Sequence, residues 1–365
     1  MTTTTIFDDL RLDHIGFYVG DLDGETARLT GSLGLAAYAT AQDGRARAAA
    51  LGANRIRFVL TQPLAADHPG AGYLDRHGDG VSDIALGVPD AAAAYHEAVR
   101  RGARPVSAPA GRDGFVTAAV HGFGDVLHTF VQRPAGARER ALPGFRDTGP
   151  TGPGPADSAL GLREVDHLAV CVPAGELDAT VEWYRRVLGF DLTFAERIAV
   201  GSQAMTTKVV RSRGRGEVTF TLIEPDVTRT PGHIDEFLRD HGGAGVQHLA
   251  LAAADIVTAV EGTAARGVEF LTAPDVYYSL LAERVRPVKY RLEDLARLDI
   301  LVDEDHDGQL YQIFARSTHP RDTFFFELIE RLGARSFGSG NISALYRAVE
   351  LQRSGRRDAR TEAAA

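Results

Sequence analysis

The sequence predicts an α+β fold made of two copies of a βαβββ module with mainly antiparallel sheets. Three kinds of segment occur twice along the chain: a strand-like alternation with an Asp-His pair, a helix closed by glycine, and a second alternation before an Ala-rich helix. The paired segments are LDHIGFYV (12–19) with VDHLAVCV (165–172), SLGL (32–35) with VLGF (187–190), and GVSDIALGV (80–88) with GVQHLALAA (245–253). Repeats spaced by more than about 100 residues indicate duplicated domains rather than a solenoid.

A segment rich in proline and glycine, 134–160, separates the two copies and is predicted to be a linker without a packed element. We therefore expect an N-terminal domain over 1–133 and a C-terminal domain over 161–353. The polar end, 354–365, is predicted to be a flexible tail. Apolar residues at helical spacing predict a C-terminal helix over 342–351, which we expect to lie over the functional site as an amphipathic lid, with ordinary packing as the alternative.

The composition excludes several classes of protein. The 365 residues include 40 basic and 49 acidic side chains, a net charge of −9, so a nucleic-acid partner is not expected. The single cysteine excludes an intrachain disulfide framework and a Cys-rich zinc site. No apolar run approaches the roughly 20 residues that span a bilayer, and no secretory leader is visible. We expect a cytoplasmic protein without a membrane partner. Assembly into a homo-oligomer is left open by the sequence.

Three polar residues of the second copy, His167, His248 and Glu327, share strand parity with apolar neighbours, so each side chain should point toward a core. A carboxylate buried among apolar groups is costly unless it is paired or binds a metal. Two imidazoles and one carboxylate can occupy one face of an octahedron, an arrangement typical of non-haem Fe(II) oxygenases. The three residues form no local motif, so an ordinary hydrogen-bonded core residue is the alternative for each.

The first copy lacks this set of residues. Asp83 stands where the second copy has His248, and the segment 127–132 has no carboxylate to match the one in 323–330. We therefore expect the first copy to be structural and without a metal site. A second binding surface is the alternative.

Four segments resemble the 4-hydroxyphenylpyruvate-utilising dioxygenases of the vicinal oxygen chelate superfamily. They are VDHLAVCV (165–172), IDEFLRDHGGAGVQHLAL (234–251), LVDEDHDGQLYQIFARSTHPRDTFFFELIER (301–331) and FGSGNISALYRAVE (337–350). The resemblance implies two vicinal-oxygen-chelate domains and an Fe(II) ion held by His167, His248 and Glu327. It also implies 4-hydroxyphenylpyruvate and O2 as the substrates.

This family has two main activities, which give either homogentisate or 4-hydroxymandelate. Homogentisate-forming members typically carry Pro-x-Asn-Glu-Pro, whereas this chain has Thr221 and Ile223 at the proline and asparagine positions. Those members also tend to have Phe where Ile342 follows Asn341. These three departures favour 4-hydroxymandelate with release of CO2, and with it a role in antibiotic biosynthesis. The homogentisate-forming activity and a non-catalytic small-molecule-binding module of the same superfamily are the alternatives.

The resemblance also implies a substrate pocket. Its aromatic and apolar members are expected to hold the substrate ring, its polar members to contact the phenol or the carboxylate, and Gln247 to support a metal ligand. The expected ring pocket comprises Phe314, Phe325, Phe337, Ile342, Thr221 and Ile223, and the polar candidates are Gln312, Asn341 and Thr207.

Overall fold

Each half of the chain forms one mixed β-sheet with helices packed against it in the computed structural model, which describes residues 5–137, 141–148, 158–214, 218–338 and 340–341. The elements of the first half are β1 (Arg11–Tyr18), α1 (Leu22–Leu33), β2 (Ala36–Gln42), β3 (Ala46–Ala53), β4 (Ile56–Pro63), α2 (Pro69–His77), β5 (Gly80–Gly87), α3 (Ala91–Arg100), β6 (Pro105–Arg112), β7 (Phe115–His121), β8 (Leu127–Gln132) and β9 (Arg146–Asp147). The elements of the second half are β10 (Leu162–Cys171), α4 (Leu177–Leu188), β11 (Asp191–Val200), β12 (Gln203–Arg211), β13 (Thr219–Pro225), α5 (His233–His241), β14 (Gly245–Ala253), α6 (Ile256–Ala264), α7 (Asp275–Arg284), α8 (Leu292–Arg297), β15 (Leu301–Asp305), β16 (Gly308–Phe314) and β17 (Phe325–Leu332).

The two sheets repeat one topology. The strand orders are β6-β7-β8-β5-β1-β4-β3-β2-β9 and β11-β12-β13-β10-β14-β17-β16-β15. In each sheet the first strand, β1 or β10, lies between a parallel and an antiparallel partner. One further parallel pair occurs in each sheet, β5·β8 and β14·β17, and the other pairs are antiparallel. The predicted α+β fold with two related halves is confirmed.

The glycines that were predicted to end the first helix of each half do so. α1 begins where the side chain of Asp21 accepts a hydrogen bond from the backbone N–H of Gly24 at 3.1 Å. α1 and α4 end at Gly34 and Gly189, whose φ angles of 65° and 70° lie in the left-handed region that favours glycine. The chain can therefore turn directly into the next strand.

Aromatic contacts join the two halves at the start of β17. The ring of Phe324 lies 5.6 Å from that of Phe17, and the ring of Phe326 lies 6.0 Å from that of Phe58. Since successive residues of a strand point to opposite faces, packing of Phe326 against the first half turns Glu327 toward the other face of the second sheet. The first half thus anchors the strand that carries Glu327.

The segment 134–160 differs from the prediction at one point. The expectation that it contains no packed element is wrong for Arg146 and Asp147, which form β9 and pair with Thr40 and Ala39 at the edge of the first sheet. Both β9 side chains are exposed, so no hydrophobic pattern marks this strand in the sequence. The predicted C-terminal helix (342–351) and tail (354–365) lie outside the described residues. No helix within the described ranges is long and apolar enough to cross a membrane.

A buried hydrogen bond between the halves gives a test of this packing. Tyr184 of α4 donates to Nε2 of His128 in β8 at 2.8 Å, and both side chains are fully buried. Burial lowers the pKa of His128 to about 4, so at neutral pH this ring is uncharged and its Nε2 is an acceptor. We expect Tyr184→Phe to lower the free energy of unfolding by about 1–3 kcal/mol, because it leaves a buried acceptor unpaired.

Urea unfolding at pH 7 measures this difference. Tyr95→Phe, on the partly buried face of α3, is the control and should change the free energy of unfolding by less than about 0.5 kcal/mol. Equal stability of the Tyr184→Phe variant and the parent chain would contradict the assigned bond.

Candidate metal centre

Three adjacent strands bring His167, His248 and Glu327 to one face of the second sheet. β10 pairs with β14 so that Ala169 lies opposite His248, and β14 pairs with β17 so that Ala250 lies opposite Glu327. Paired residues on neighbouring strands point to the same face. The strand register therefore gathers three residues that are far apart in the sequence.

The three side chains are buried and close together. Nε2 of His167 and Nε2 of His248 each lie 3.4 Å from Oε2 of Glu327. The exposed fractions of the three residues are 3%, 9% and 2%. One nitrogen or oxygen atom from each residue lies within 4.8 Å of the others. The arrangement is compact enough for all three to touch a single ion.

The donor set fits a divalent cation. Two adjacent ligands of an octahedral ion, each at about 2.1 Å, lie about 3 Å apart, which is close to the nitrogen–oxygen separations here. The second carboxylate oxygen of Glu327, Oε1, is buried and has no hydrogen-bond partner among the described residues. A buried carboxylate whose second oxygen has no hydrogen-bond partner is stabilised by a cation beside it. The three residues would supply three ligands to such an ion.

Neighbouring side chains hold both imidazoles with Nε2 facing Glu327. Nδ1 of His167 donates to Oδ1 of Asp166 at 2.8 Å, and Nδ1 of His248 lies 3.3 Å from Oε1 of Gln247. Asp166 in turn accepts two hydrogen bonds from Arg331, at 2.8 and 2.9 Å. Such contacts fix the tautomer and orientation of metal-binding histidines.

The charges of these groups shift their pKa values. Burial lowers the pKa of His167, but the carboxylates of Glu327 and Asp166 outweigh burial and raise it to about 9. Burial raises the pKa of Glu327, but the two histidines outweigh it and lower that pKa. Burial also lowers the pKa of His248. In the absence of a metal ion, His167 is therefore protonated and Glu327 ionised at neutral pH.

Three phenylalanines from the predicted ring pocket surround the histidines. The ring of Phe325 stacks on that of His248 at 4.9 Å, and Phe314 meets the same imidazole edge to face at 6.0 Å. The ring of Phe337 lies 5.1 Å from that of His167. The two histidines of the trio are thus bordered by aromatic carbon.

Two strands on the other side of β10 from β14 bring three members of the predicted pocket to the same face of the sheet. They are Thr207 on β12 and Thr221 and Ile223 on β13. Ile223 pairs with Thr207 on β12, and Thr221 pairs with Ala169, which follows His167 on its own face of β10. All three are buried, and the hydroxyl of Thr221 has no hydrogen-bond partner among the described residues.

Two amide side chains of the predicted pocket, those of Gln312 and Asn341, belong to residues that lie beside Gly338. Asn341 is fully buried, and its Oδ1 accepts a hydrogen bond from the Tyr277 hydroxyl at 2.7 Å. The amide of Gln312 packs against Gly338, where an added Cβ would lie 2.1 Å from Nε2. The amide nitrogens of Gln312 and Asn341 are buried donors without partners among the described residues. Ile342 lies outside the described residues.

The contacts of Asp166, Arg331 and Tyr277 were not predicted from the sequence. The repetition of the Asp-His pair in both halves is a signal that could have revealed Asp166. In the first half, His14 donates to Asp13 at 2.8 Å, and Arg133 donates to Asp13 at 2.6 and 2.7 Å. The same Asp–His–Arg arrangement therefore exists twice.

At the positions that correspond to His248 and Glu327, the first half has different residues. The register of β5·β8 matches that of β14·β17 and puts Asp83 in the place of His248 and Thr129 in the place of Glu327. Burial raises the pKa of Asp83 to about 6, so its carboxyl group is neutralised more easily than usual.

A second acidic group, Asp305, His306 and Asp307, has a structural explanation. It belongs to the sequence DEDHDG (303–308), which resembles the front half of a calcium loop but has Phe314 where that loop needs Glu. The carboxylate of Asp305 accepts backbone hydrogen bonds from residues 307, 308, 335 and 336. Asp305 therefore joins the β15–β16 hairpin to residues 335 and 336, which directly precede Phe337.

Comparison with known proteins shows the family to which the chain belongs. Models of the Glyoxalase/Bleomycin resistance protein/Dioxygenase superfamily match residues 13–118 and 164–313. The 4-hydroxyphenylpyruvate dioxygenase of Dictyostelium discoideum is 33% identical over 93% of this chain and 97% of that protein. The chain belongs to the 4-hydroxyphenylpyruvate dioxygenase family. The enzyme of that name from Caenorhabditis elegans is 31% identical over 94% of this chain and 92% of its own length.

A solved structure of this dioxygenase family is also similar. A triple-substituted variant of 4-hydroxymandelate synthase from Streptomyces coelicolor is 41% identical, with a TM-score of 0.81 over 94% of this chain and 98% of that chain. The two halves of this family member are thus glyoxalase-type, or vicinal-oxygen-chelate, domains. The expected family is confirmed.

Proton release on metal binding tests the electrostatics of the site. Because the pKa of His167 is raised to about 9, its imidazole is protonated at pH 7 without metal and must lose this proton to bind one. We expect Co(II) to release about one proton per ion at pH 7, and its affinity to fall about tenfold for each pH unit below the pKa. Calorimetric titrations in buffers of different ionisation enthalpy measure both.

The control is His96→Ala, which removes an exposed histidine and should leave the proton count unchanged. Binding of Co(II) without proton release at pH 7 would contradict the assigned charge of the site.

Proposed function

We propose that this chain is an Fe(II)-dependent dioxygenase that converts 4-hydroxyphenylpyruvate and O2 into 4-hydroxymandelate and CO2. The observation that carries the proposal is the position of Thr221 and Ile223 on the face that also bears His167, His248 and Glu327. The reaction balances: one oxygen atom enters the new carboxylate, and the other enters the benzylic hydroxyl. The similarity to 4-hydroxymandelate synthase supports the choice of product.

His167, His248 and Glu327 would hold the iron on one side and leave the other side to the substrate and O2. When bound, the iron supplies a Lewis acid for the 2-oxo acid and a redox centre that activates O2. The protein's part is to fix the ligand directions through Asp166 and Gln247.

The aromatic side chains position the ring of the substrate and exclude water. Phe314, Phe325 and Phe337 border the histidines closely enough to keep solvent away from a reactive centre. The buried amide nitrogens of Gln312 and Asn341 can donate only to an acceptor. The carboxylate and carbonyl oxygens of an oxo acid are such acceptors.

The branched side chain at 223 supports benzylic rather than ring hydroxylation. An asparagine at this point of β13 would present an amide to the site, whereas Ile223 presents hydrocarbon. A buried hydrogen bond is worth about 1 kcal/mol net. Because a difference of about 1.4 kcal/mol between two barriers changes a product ratio tenfold, one such contact shifts the ratio of the two products about fivefold.

Formation of homogentisate from the same substrate is the second candidate. Several relatives that match over most of the chain carry the name 4-hydroxyphenylpyruvate dioxygenase. A non-catalytic binding module is a weaker candidate, because such a module does not need two histidines and a glutamate at one buried point.

Product analysis distinguishes these candidates. We expect the chain, supplied with Fe(II), ascorbate, O2 and 4-hydroxyphenylpyruvate, to give mainly 4-hydroxymandelate by chromatography and mass spectrometry. Ile223→Asn combined with Thr221→Pro should raise the homogentisate fraction at least about tenfold, because it introduces the amide and reshapes β13. Homogentisate as the main product of the parent chain would overturn the proposed reaction, and absence of oxygen uptake would favour the binding module.

Glu327→Gln tests the carboxylate. The amide keeps the size of the side chain but removes the charge that faces both imidazoles, so we expect Co(II) affinity to fall about 10- to 100-fold or more and turnover to be lost. Calorimetry and an oxygen electrode measure the two effects. The control is Glu330→Gln, a buried carboxylate of the same strand that bonds Lys289 and Tyr290 instead. Wild-type affinity in the Glu327→Gln variant would mean that Glu327 is not a ligand.

A further inference from the structure

The edge strand of the second sheet carries a carboxylate that the proposed reaction has not used. Glu196 lies in β11, which forms the outer edge of the sheet next to β12. Along this strand Phe194 and Glu196 are half-buried and Ile198 is buried, whereas the residues between them are exposed. The alternation shows that Glu196 points inward with its two apolar neighbours.

The inward face of β11 is the face that bears the metal ligands. The ring of Phe194 lies 6.4 Å from that of Phe337, which in turn lies 5.1 Å from that of His167. Ile198 packs in one apolar cluster with Ile223. Glu196 therefore lies between the aromatic border of the metal centre and the hydrocarbon that faces the substrate.

One oxygen of Glu196 is buried without a partner. Oε2 is inaccessible to solvent and accepts no hydrogen bond from any residue that the structure describes. Its cross-strand neighbour on the same face is Thr207, which carries no charge. A buried carboxylate oxygen left unpaired destabilises a protein, so a donor is expected to bind there.

The two cations that directly follow Glu196 and Thr207 in the sequence are bound elsewhere. Arg197 follows Glu196 on the exposed side of β11 and donates twice to Asp226, at 2.6 and 3.0 Å. Lys208 follows Thr207 on β12 and pairs with Asp178. Both cations are already bound to other carboxylates.

The chemistry of the proposed substrate matches this pattern of polar atoms. In the keto form, 4-hydroxyphenylpyruvate has acceptors at its oxo-acid end and a single O–H donor, the phenol, at the other end. The unpaired amide donors on Gln312 and Asn341 belong to the β16 side and the C-terminal segment, whereas the unpaired carboxylate oxygen of Glu196 belongs to the opposite edge, and the unpaired hydroxyl of Thr221 lies on β13 between them. The amide donors and the carboxylate acceptor are thus on opposite sides, as the two ends of the substrate require.

We propose that Glu196 accepts the hydrogen bond of the phenol group and makes the enzyme selective for oxo acids with a 4-hydroxyl group. The inference rests on the proposed function. Glu196, Thr207 and Ile223 lie in register across β11, β12 and β13, so the carboxylate stands at the edge of the sheet in the same row of side chains as Ile223. Glu196 is therefore a binding residue that determines specificity, and the metal ligands do not depend on it.

The test compares 4-hydroxyphenylpyruvate with phenylpyruvate, which lacks the phenol. For each protein, the ratio of the two kcat/KM values is measured by oxygen uptake. We expect Glu196→Met to lower this ratio about 10- to 100-fold, because it removes the acceptor, and Glu196→Gln to lower it less, because the amide oxygen still accepts. The dissociation constants of both oxo acids, measured without O2 by calorimetry, should change in the same direction.

Glu182→Gln is the matched control, because its carboxylate is exposed on α4 and pairs with Arg185. Glu196→Gln preserves size and so gives an answer even where Glu196→Met folds poorly. Unchanged ratios in both Glu196 variants, with a parent chain that turns over 4-hydroxyphenylpyruvate, would overturn the role of Glu196 alone. A parent chain that uses neither oxo acid would overturn the proposed function and this inference together.

Discussion

The convergence of two imidazoles and one carboxylate at a buried point depends on the register of three neighbouring strands. A shift of one residue in β10, β14 or β17 would turn a ligand to the opposite face of the sheet. The packing of Phe326 against Phe58 of the other half resists such a shift in β17, because it commits that strand to one orientation. The fold of the whole chain, including the half that lacks the trio, therefore helps to set the position of Glu327.

Much of this organisation is readable from the sequence. The alternating segments that contain His167 and His248 indicate strands, and their repetition in the first half indicates a duplicated module. Strand parity alone predicts which way each polar group points. Gly34 and Gly189 end their helices as expected, because a left-handed residue at that place is a strong local requirement.

The remaining features depend on contacts between distant segments. The pairing of Arg331 with Asp166 and that of Tyr277 with Asn341 each join residues separated by long stretches of chain, and no local spacing reports them. Glu196 has the appearance of an ordinary surface residue of an edge strand until the covering of its inward face is known. The strand β9 is two exposed residues long, so it carries no periodic signal.

The duplicated Asp–His–Arg arrangement has a consequence for how function is assigned by mutagenesis. Asp13, His14 and Arg133 keep the ion-paired contacts of Asp166, His167 and Arg331 in a half where Asp83 and Thr129 replace the other two members of the trio. These contacts therefore serve the architecture of each half as well as any chemistry. Substitution of Asp166 is therefore expected to reduce both the stability of the fold and the activity. The equivalent substitution of Asp13 measures the part of the effect that is due to folding.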